Sequence, residues 1–526
     1  MRARDLKRQK SLISGAVILS LGGLLSKALG ALYRIPLTNL LGPEGIGLYH
    51  LVFPVYSLLL SASSSGVPTA LSRLISERLS LNDYKGARCA FRVAYILIGG
   101  AGLALSLLLF FFADRVAQLQ GTPLIAEGYR MIAPSVFFTS QISVIRGYFQ
   151  GRMNMVPTAL SQVVEQVAKI LFTVGVAVNF LPDVAKAVSF SILAVTVSEL
   201  AALLTLIFLY IIGKKKRKAD LQSQGEKPGA FRFAALLLEA SLPIAIGSAM
   251  LPLSGIIDSL LVINIMGRYY GGNVVGVYGL LNGPVNSIIG LPAIVTGAIA
   301  AAAVPAISSG KEANGKVGLA LKLTFLIAMP CALGLLVFSQ QVISLLYPTL
   351  STEDAGLAAL LLQVGSVSVP FLALLQTSVC VLVAARKGFL GTLNLFVGVL
   401  AKLALSFILL QIPSINIFGS AISAAACYLV VAALNLFVIM RHYKFEPSAH
   451  VALKPLLCST VAIAFAFGAQ KLFEVFLGQN LSLALSIALS LLVYAFACLK
   501  LEVLSGSEIG LLSLPRKVKG DDPTGV

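Results

Sequence analysis

RGYFQGRMNMVPTALSQVVEQVAK, residues 146–169, joins two apolar segments that are each long enough to cross a bilayer. The segment nevertheless places charged and amide side chains in or beside those apolar segments: Arg146, Gln150, Gln162, Glu165, Gln166 and Lys169. Ionisable groups are costly at membrane depth, so they usually face a bundle interior or a water-filled cavity. The pattern therefore predicts one wall of a polar central cavity, and we expect the rest of the chain to build the other walls.

The composition around this segment is that of a membrane protein. Of 526 residues, 57% are apolar and only 12% are charged, whereas about a quarter of an ordinary soluble chain is charged. Apolar runs of about 20 residues, each long enough for a transmembrane helix, recur from end to end. We therefore predict an all-α, polytopic membrane protein. The net charge of +18 is explained by basic cytoplasmic loops, and no soluble basic module is present to bind nucleic acid.

The sequence gives no pattern for a metal or cofactor. Its six cysteines occur singly without a Cys-x-x-Cys motif, and its three histidines are scattered. We therefore expect no metal site, no cofactor and no catalytic residue. The basic N-terminus precedes a long apolar run that lacks an Ala-x-Ala cleavage site, which predicts a first span and not a removed signal peptide.

We predict fourteen spans, and the loop charges orient them. The predicted spans are 12–40, 46–77, 90–113, 124–149, 156–181, 186–212, 234–266, 274–308, 317–347, 356–385, 388–411, 415–441, 450–473 and 481–501. With the N-terminus inside, 29 Lys and Arg residues fall in inner segments and 5 in outer ones. Since basic residues favour the cytoplasmic side, we expect both termini to be cytoplasmic.

Short motifs from the first half of the chain recur in the second half. The motifs Gly47-Leu-Tyr49 and Pro54-Val-Tyr-Ser57 recur in order as Gly276-Val-Tyr278 and Pro284-Val-Asn-Ser287. Six spans in each half predict two parallel repeats related by an axis along the membrane normal, with substrate at their interface. The expected divisions are an N-lobe (1–212), a basic cytoplasmic linker (213–232), a C-lobe (233–445), spans thirteen and fourteen (446–503) and a cytoplasmic tail (504–526).

These features resemble the multidrug/oligosaccharidyl-lipid/polysaccharide exporter superfamily. Residues 146–166, Gly42-Pro-Glu-Gly-Ile-Gly-Leu-Tyr49 and Gly66-Val-Pro-Thr-Ala-Leu-Ser72 resemble its polysaccharide-transporter branch, which includes stage V sporulation protein B and the Bacillus-type lipid II flippases. The resemblance implies a flippase of the bacterial plasma membrane that moves undecaprenyl-diphosphate-linked saccharides, such as lipid II or a related cell-wall precursor. It also implies that spans thirteen and fourteen form a groove for the lipid tail. We expect a monomer among membrane lipids.

An anionic, hydroxyl-rich headgroup needs cationic and amide partners. The predicted substrate-binding residues are Lys27, Arg34, Arg73, Arg146, Gln162, Glu165, Lys169, Asp258 and Lys402. By matching spacing in the two repeats, Lys169 and Lys402 are expected to clamp the diphosphate from opposite lobes, and Glu165 to hold Lys169 in its absence. Two alternatives remain at this stage. In the first, Arg73 and Arg146 snorkel to the inner interface. In the second, the mid-span lysines form ion pairs that only fix packing.

Three other functions compete with a flippase. A drug exporter of the same superfamily does not need the last two spans, and organic cations fit a basic cavity poorly. A membrane polymerase or ligase acting on lipid-linked sugars needs catalytic residues on sizeable external loops, and here the outer loops are short. A non-transporting scaffold is the third alternative.

Overall fold

The computed structural model describes residues 2–177, 183–214, 229–308, 313–443, 450–476 and 478–504. These residues form eighteen α-helices and no β-strand, so the all-α prediction is confirmed. Most of the predicted linker 213–232 and of the predicted tail 504–526 lies outside the described residues.

The helices follow one another with short connections. The first nine are α1 Arg2–Ser64, α2 Val67–Ser80, α3 Tyr84–Phe111, α4 Ala113–Leu119, α5 Ala126–Gly151, α6 Val156–Phe172, α7 Val184–Lys214, α8 Ala230–Leu261 and α9 Val274–Leu280. The others are α10 Asn286–Ser308, α11 Ala313–Val337, α12 Ser339–Leu346, α13 Thr352–Ser366, α14 Val369–Ala384, α15 Gly388–Leu409, α16 Phe418–Tyr443, α17 His450–Glu474 and α18 Gln479–Lys500. A 3₁₀ turn (Pro123–Ile125) precedes α5, and π-helical turns extend α6, α8 and α9 (Thr173–Ala177, Val262–Met266 and Leu281–Val285).

Ten helical segments in the described residues are long and apolar enough to cross a membrane, and α13 with α14, bent by 49°, makes eleven. The difference from fourteen has local causes. Gly22–Ser80 is one apolar segment that covers two predicted spans, α5 carries several polar side chains, and α6 has only 17 residues. The chain is a multi-pass membrane protein, and the number fourteen stays a prediction.

A glycine bends α1 between its two predicted spans. Gly42 has φ 68° and ψ −178° and precedes Pro43. A positive φ is accessible to glycine without a steric penalty, and the following proline disfavours the helical conformation at this position. The direction of α1 therefore changes at this point.

The two chain segments that carry the repeated Gly-x-Tyr motif lie close together. A Cβ on Gly47 would overlap the carbonyl oxygen of Val275, and a Cβ on Gly279 would overlap that of Pro43. Helices approach this closely only where small residues meet. The second part of α1 and α9 therefore cross at a glycine-to-backbone contact.

The chain divides into two compact units. The first comprises Met1–Ile294, Ile343–Gly365 and Leu395–Cys427, and the second comprises Val295–Val342, Ser366–Asn394 and Tyr428–Val526. In the first unit α1 packs against α5, α6, α7, α8 and α9, while in the second α17 packs on α18 and α11. The units do not follow the predicted boundaries at 212 and 233, because α8 and α9 pack on α1. The two lobes stay a prediction.

Candidate functional site

Helix α6 has one polar face and one apolar face. Its polar side chains recur every three or four residues, which places them on one side of a helix: Gln162, Glu165, Gln166 and Lys169. The other side is exposed and apolar, through Leu160, Val167 and Leu171. This pattern is typical of a helix that separates lipid from a polar interior.

Helix α1 packs against the polar face of α6 through two glycines. A Cβ on Gly30 would lie 3.1 Å from Gln166 Oε1, and a Cβ on Gly23 would lie 3.9 Å from Gln162 Oε1. Ser26 Oγ donates a hydrogen bond of 3.3 Å to the carbonyl oxygen of Gln162. Small residues on α1 thus leave room for the two amide side chains.

The same stripe of α1 carries two cations. Lys27 and Arg34 follow Gly23 and Gly30 by four residues each, so all four lie on one side of the helix. Both cationic side chains are exposed, and within the described part of the chain neither forms a hydrogen bond or an ion pair. Because a charge at membrane depth is stable only beside water or a counter-ion, Lys27 and Arg34 are the candidates on α1 for contact with a hydrated anion.

Arg146 on α5 joins the polar face of α6. Its Nη2 lies 3.1 Å from Glu165 Oε2, and its Nε donates a hydrogen bond of 3.0 Å to Ser161 Oγ. Gln166 Nε2 donates to the other carboxylate oxygen at 3.2 Å. Arg146 thus reaches the Glu165 carboxylate from the neighbouring helix, while the pairing of Glu165 with Lys169 stays a prediction. The same contact gives Arg146 a fixed partner within the protein.

A second acidic side chain lies near this cluster. Glu199 on α7 is buried, and its Oε2 has no hydrogen-bond partner among the described residues. It lies within electrostatic reach of Glu165, Lys169 and Arg146. Arg146 thus has a fixed carboxylate partner in Glu165, whereas Lys27 and Arg34 have none in the described part of the chain.

A separate buried network surrounds Asp258 on α8. Its Oδ2 lies 3.4 Å from Lys402 Nζ on α15. Ser406 Oγ donates to Oδ1 at 3.1 Å and Ser420 Oγ to Oδ2 at 2.9 Å, while the hydroxyls of Ser406 and Ser423 are 2.6 Å apart. Lys402 thus has a carboxylate partner in this conformation, and the clamp of the diphosphate by Lys169 and Lys402 stays a prediction. The three serines were not predicted, although the spacing of Ser420 and Ser423 places both on one side of α16.

The remaining predicted cation stands apart from both clusters. Arg73 on α2 is exposed and makes no hydrogen bond or ion pair in the described ranges. The described residues also contain no group of three or more His, Cys, Asp or Glu side chains placed to hold a metal ion.

Sequence comparison places the chain in a family. A family model described as polysaccharide biosynthesis protein matches residues 12–311, which is more than half of the chain. The chain belongs to this polysaccharide biosynthesis protein family. Stage V sporulation protein B of Bacillus subtilis (strain 168) is 28% identical to this family member over 454 residues, which are 82% of this chain and 84% of that protein. Lipid II flippase MurJ of the same strain is 24% identical over 459 residues, 82% and 83% of the two chains.

Solved structures share the fold of this family member. Lipid II flippase MurJ in an inward closed conformation superposes with a TM-score of 0.68 at 15% identity, covering 94% of this chain and 100% of that one. An inward-facing multidrug resistance MATE family transporter of the MOP superfamily gives a TM-score of 0.63 at 16% identity, covering 82% and 98%. The predicted similarity to stage V sporulation protein B and the Bacillus lipid II flippase is confirmed, and the fold is that of these solved transporters.

Proposed function

We propose that this protein is a flippase that moves an undecaprenyl-diphosphate-linked saccharide, such as lipid II or a related cell-wall intermediate, from the inner to the outer leaflet. The observation that carries this proposal is the α1 stripe, where Lys27 and Arg34 are exposed beside the amide side chains of Gln162 and Gln166. A diphosphate needs cations, and its sugars need groups that donate and accept hydrogen bonds. The function is transport and not catalysis.

The residues divide into two roles under this proposal. Lys27 and Arg34 bind the diphosphate, because both are exposed on the α1 stripe and neither has a fixed carboxylate partner in the described chain. Gln162 contacts the sugar hydroxyls. The Arg146–Glu165 pair holds α5 against α6, and together with Lys169 it becomes available only when the site rearranges.

The remaining predicted residues take structural or peripheral roles. Asp258 and Lys402 form an internal pair that fixes α8 against α15. Arg73 attracts the anionic headgroup at the inner entrance.

Contacts at the predicted outer side support alternating access. Asn39 Nδ2 donates to the carbonyl oxygen of Leu346 at 2.9 Å, and Thr349 Oγ1 donates to Asn39 Oδ1 at 2.9 Å. The crossing at Gly47 and Gly279 lies at the same predicted level. Spans one and two thus contact elements of the predicted C-lobe on the outer side, as we expect for a state that is closed outside and receives substrate from inside. Rocking of spans 1–6 against spans 7–12 then releases it outward.

The membrane setting follows from the same proposal. Both termini are cytoplasmic, the protein works as a monomer in the bacterial plasma membrane, and α17 with α18 provides the groove for the polyprenyl tail. A drug exporter of the same superfamily is the weaker candidate, because Lys27 and Arg34 repel organic cations.

The test is lipid flipping in proteoliposomes with a fluorescent undecaprenyl-diphosphate saccharide. Lys27→Ala and Arg34→Ala should each slow flipping by at least about tenfold, since a hydrogen bond to a charged group contributes about 1.5–3 kcal/mol. Arg115→Ala is the matched control, because Arg115 is also exposed but lies on α4, away from the α1 stripe. Flipping by Lys27→Ala/Arg34→Ala at the control rate refutes the assigned site.

A further inference from the structure

A cavity outside the polar cluster lies between α3, α5 and α7. It has a volume of about 350 Å³, and its walls include Phe91, Ile145, Ile207 and Tyr210. These side chains are apolar or aromatic, and the stacked Phe91 and Tyr210 rings, with centroids 5.4 Å apart, form part of one wall. The cavity suits a hydrocarbon chain better than a hydrophilic ligand.

One cation lies on the wall of this apolar cavity. Arg92 lines it, is exposed, and forms no ion pair or hydrogen bond within the described ranges. A guanidinium beside an apolar cavity complements a ligand that has both an anionic group and a hydrocarbon chain.

The exposed face of α3 carries basic and apolar side chains in a row along the helix axis. Lys85, Arg92, Ile96 and Leu103 are spaced by seven, four and seven residues, so they lie on one line. Ile96 is 74% exposed and Leu103 is 46% exposed. The basic end lies at the start of the helix, and the apolar part from Arg92 to Leu103 extends about 17 Å at about 1.5 Å per residue. That length is about half of a hydrocarbon core of about 30 Å, which is the depth of one leaflet.

We propose that the cavity and the α3 stripe, Lys85 to Leu103, form a binding site for an anionic phospholipid. The phosphate binds Arg92 with Lys85 nearby, and one acyl chain occupies the cavity and follows Ile96. This site is separate from the Lys27 and Arg34 stripe and takes a lipid of the surrounding membrane, not the transported lipid. Each basic residue near a membrane surface favours anionic lipid by about fivefold.

The absence of tryptophan from the chain allows a direct test. Ile96→Trp introduces a single fluorophore beside the cavity, and phospholipids with brominated acyl chains quench it on contact. The full-length protein is reconstituted in vesicles of phosphatidylcholine with increasing brominated phosphatidylglycerol, or with brominated phosphatidylcholine. We expect phosphatidylglycerol to bind about fivefold more tightly than phosphatidylcholine. Equal quenching by the two lipids overturns the proposal.

Variants distinguish the effect of the Arg92 charge from quenching that arises only because the helix is exposed to lipid. Adding Arg92→Ala should remove most of the preference, and Arg92→Lys should keep most of it. Arg441→Ala is the matched control, because Arg441 is also a cation beside an aromatic ring, 4.7 Å from Phe437. Arg441 does not line this cavity, so its removal should leave the preference unchanged. A tryptophan at Leu492, exposed on α18, should show no preference. Retention of the preference in a folded Arg92→Ala protein, or displacement by undecaprenyl phosphate but not by phosphatidylglycerol, rejects the site.

Discussion

The buried pair between Asp258 and Lys402 gives a prediction whose magnitude follows from its geometry. Lys402→Met removes an ammonium that lies 3.4 Å from a carboxylate only 10% exposed. Removing one partner of a buried ion pair costs roughly 3–5 kcal/mol, because the other charge stays buried without compensation. Ser406 and Ser420 still donate to the carboxylate, so we expect the lower end, about 3 kcal/mol.

This cost corresponds to a measurable change in melting temperature. At about 2.1 cal/mol/K of unfolding entropy per residue, a 526-residue chain has about 1.1 kcal/mol/K, so about 3 kcal/mol lowers Tm by about 3 °C. Asp258→Asn/Lys402→Met removes both charges and keeps similar volumes, so it should recover most of that loss. The assay is thermal unfolding of purified protein in detergent, with flipping measured on the same samples.

The comparison of single and double variants decides between two roles for Lys402. If the pair is internal, Lys402→Met lowers Tm, the double variant restores it, and the folded proteins flip lipid at rates close to that of the unmodified chain. A Lys402→Met protein with unchanged Tm but lost flipping contradicts this reasoning, and so does a double variant that is no more stable than Lys402→Met.

Three further predictions concern the outer contact, helix crossing and topology. Cysteines at Asn39 and Thr349, joined by a short crosslinker that forms a reducible disulfide with each thiol, should stop flipping, because they hold the outer side closed; the readout is flipping before and after reduction. Gly279→Ala should lower Tm by about 1–3 °C, because its Cβ overlaps a backbone oxygen of α1 and overpacking costs about 1–3 kcal/mol. In a chain without its six native cysteines, a cysteine at Ser351 should react with an impermeant reagent in intact cells. A cysteine at Gln224, outside the described residues, should react only after permeabilisation.

Each of these predictions has a matched control. A crosslink between cysteines at Asp114 and Arg130, which form an ion pair within the predicted N-lobe, should not stop flipping; equal inhibition by both crosslinks contradicts alternating access. Gly100→Ala should be tolerated, since a Cβ there meets no atom within 4 Å. Labelling of Gln224→Cys from outside intact cells contradicts cytoplasmic termini.

The polar face of α6 was predictable because helical periodicity is a local property of the sequence. Gln162, Glu165, Gln166 and Lys169 lie three or four residues apart, and this spacing alone places them on one side. The partner of Glu165 was not predictable in the same way, since it depends on where α5 lies. Arg146 is 19 residues away in sequence, and only tertiary packing brings it closer to the carboxylate than Lys169.

The helix boundaries were also predictable only in part. Apolar runs indicated an all-α membrane protein correctly, but the two predicted spans on either side of Gly42 form one helix that bends at this residue. The Asp258 network needs side chains from α8, α15 and α16. Single serines in apolar spans are common and give no signal until the packing is known. The candidate site was therefore predictable as a list of charges, but its division into compensated and uncompensated groups was not.

The measurement that tests the central claim most directly is flipping by the unmodified chain in proteoliposomes. A fluorescent undecaprenyl-diphosphate saccharide is placed in both leaflets, and a membrane-impermeant reductant removes the signal of the outer leaflet. We predict that the protein makes the protected half of the signal accessible much faster than in protein-free vesicles. An excess of unlabelled substrate should slow this process, and an organic cation should not. A protected fraction that stays as stable as in empty vesicles, or export of an organic cation in its place, contradicts the proposed function.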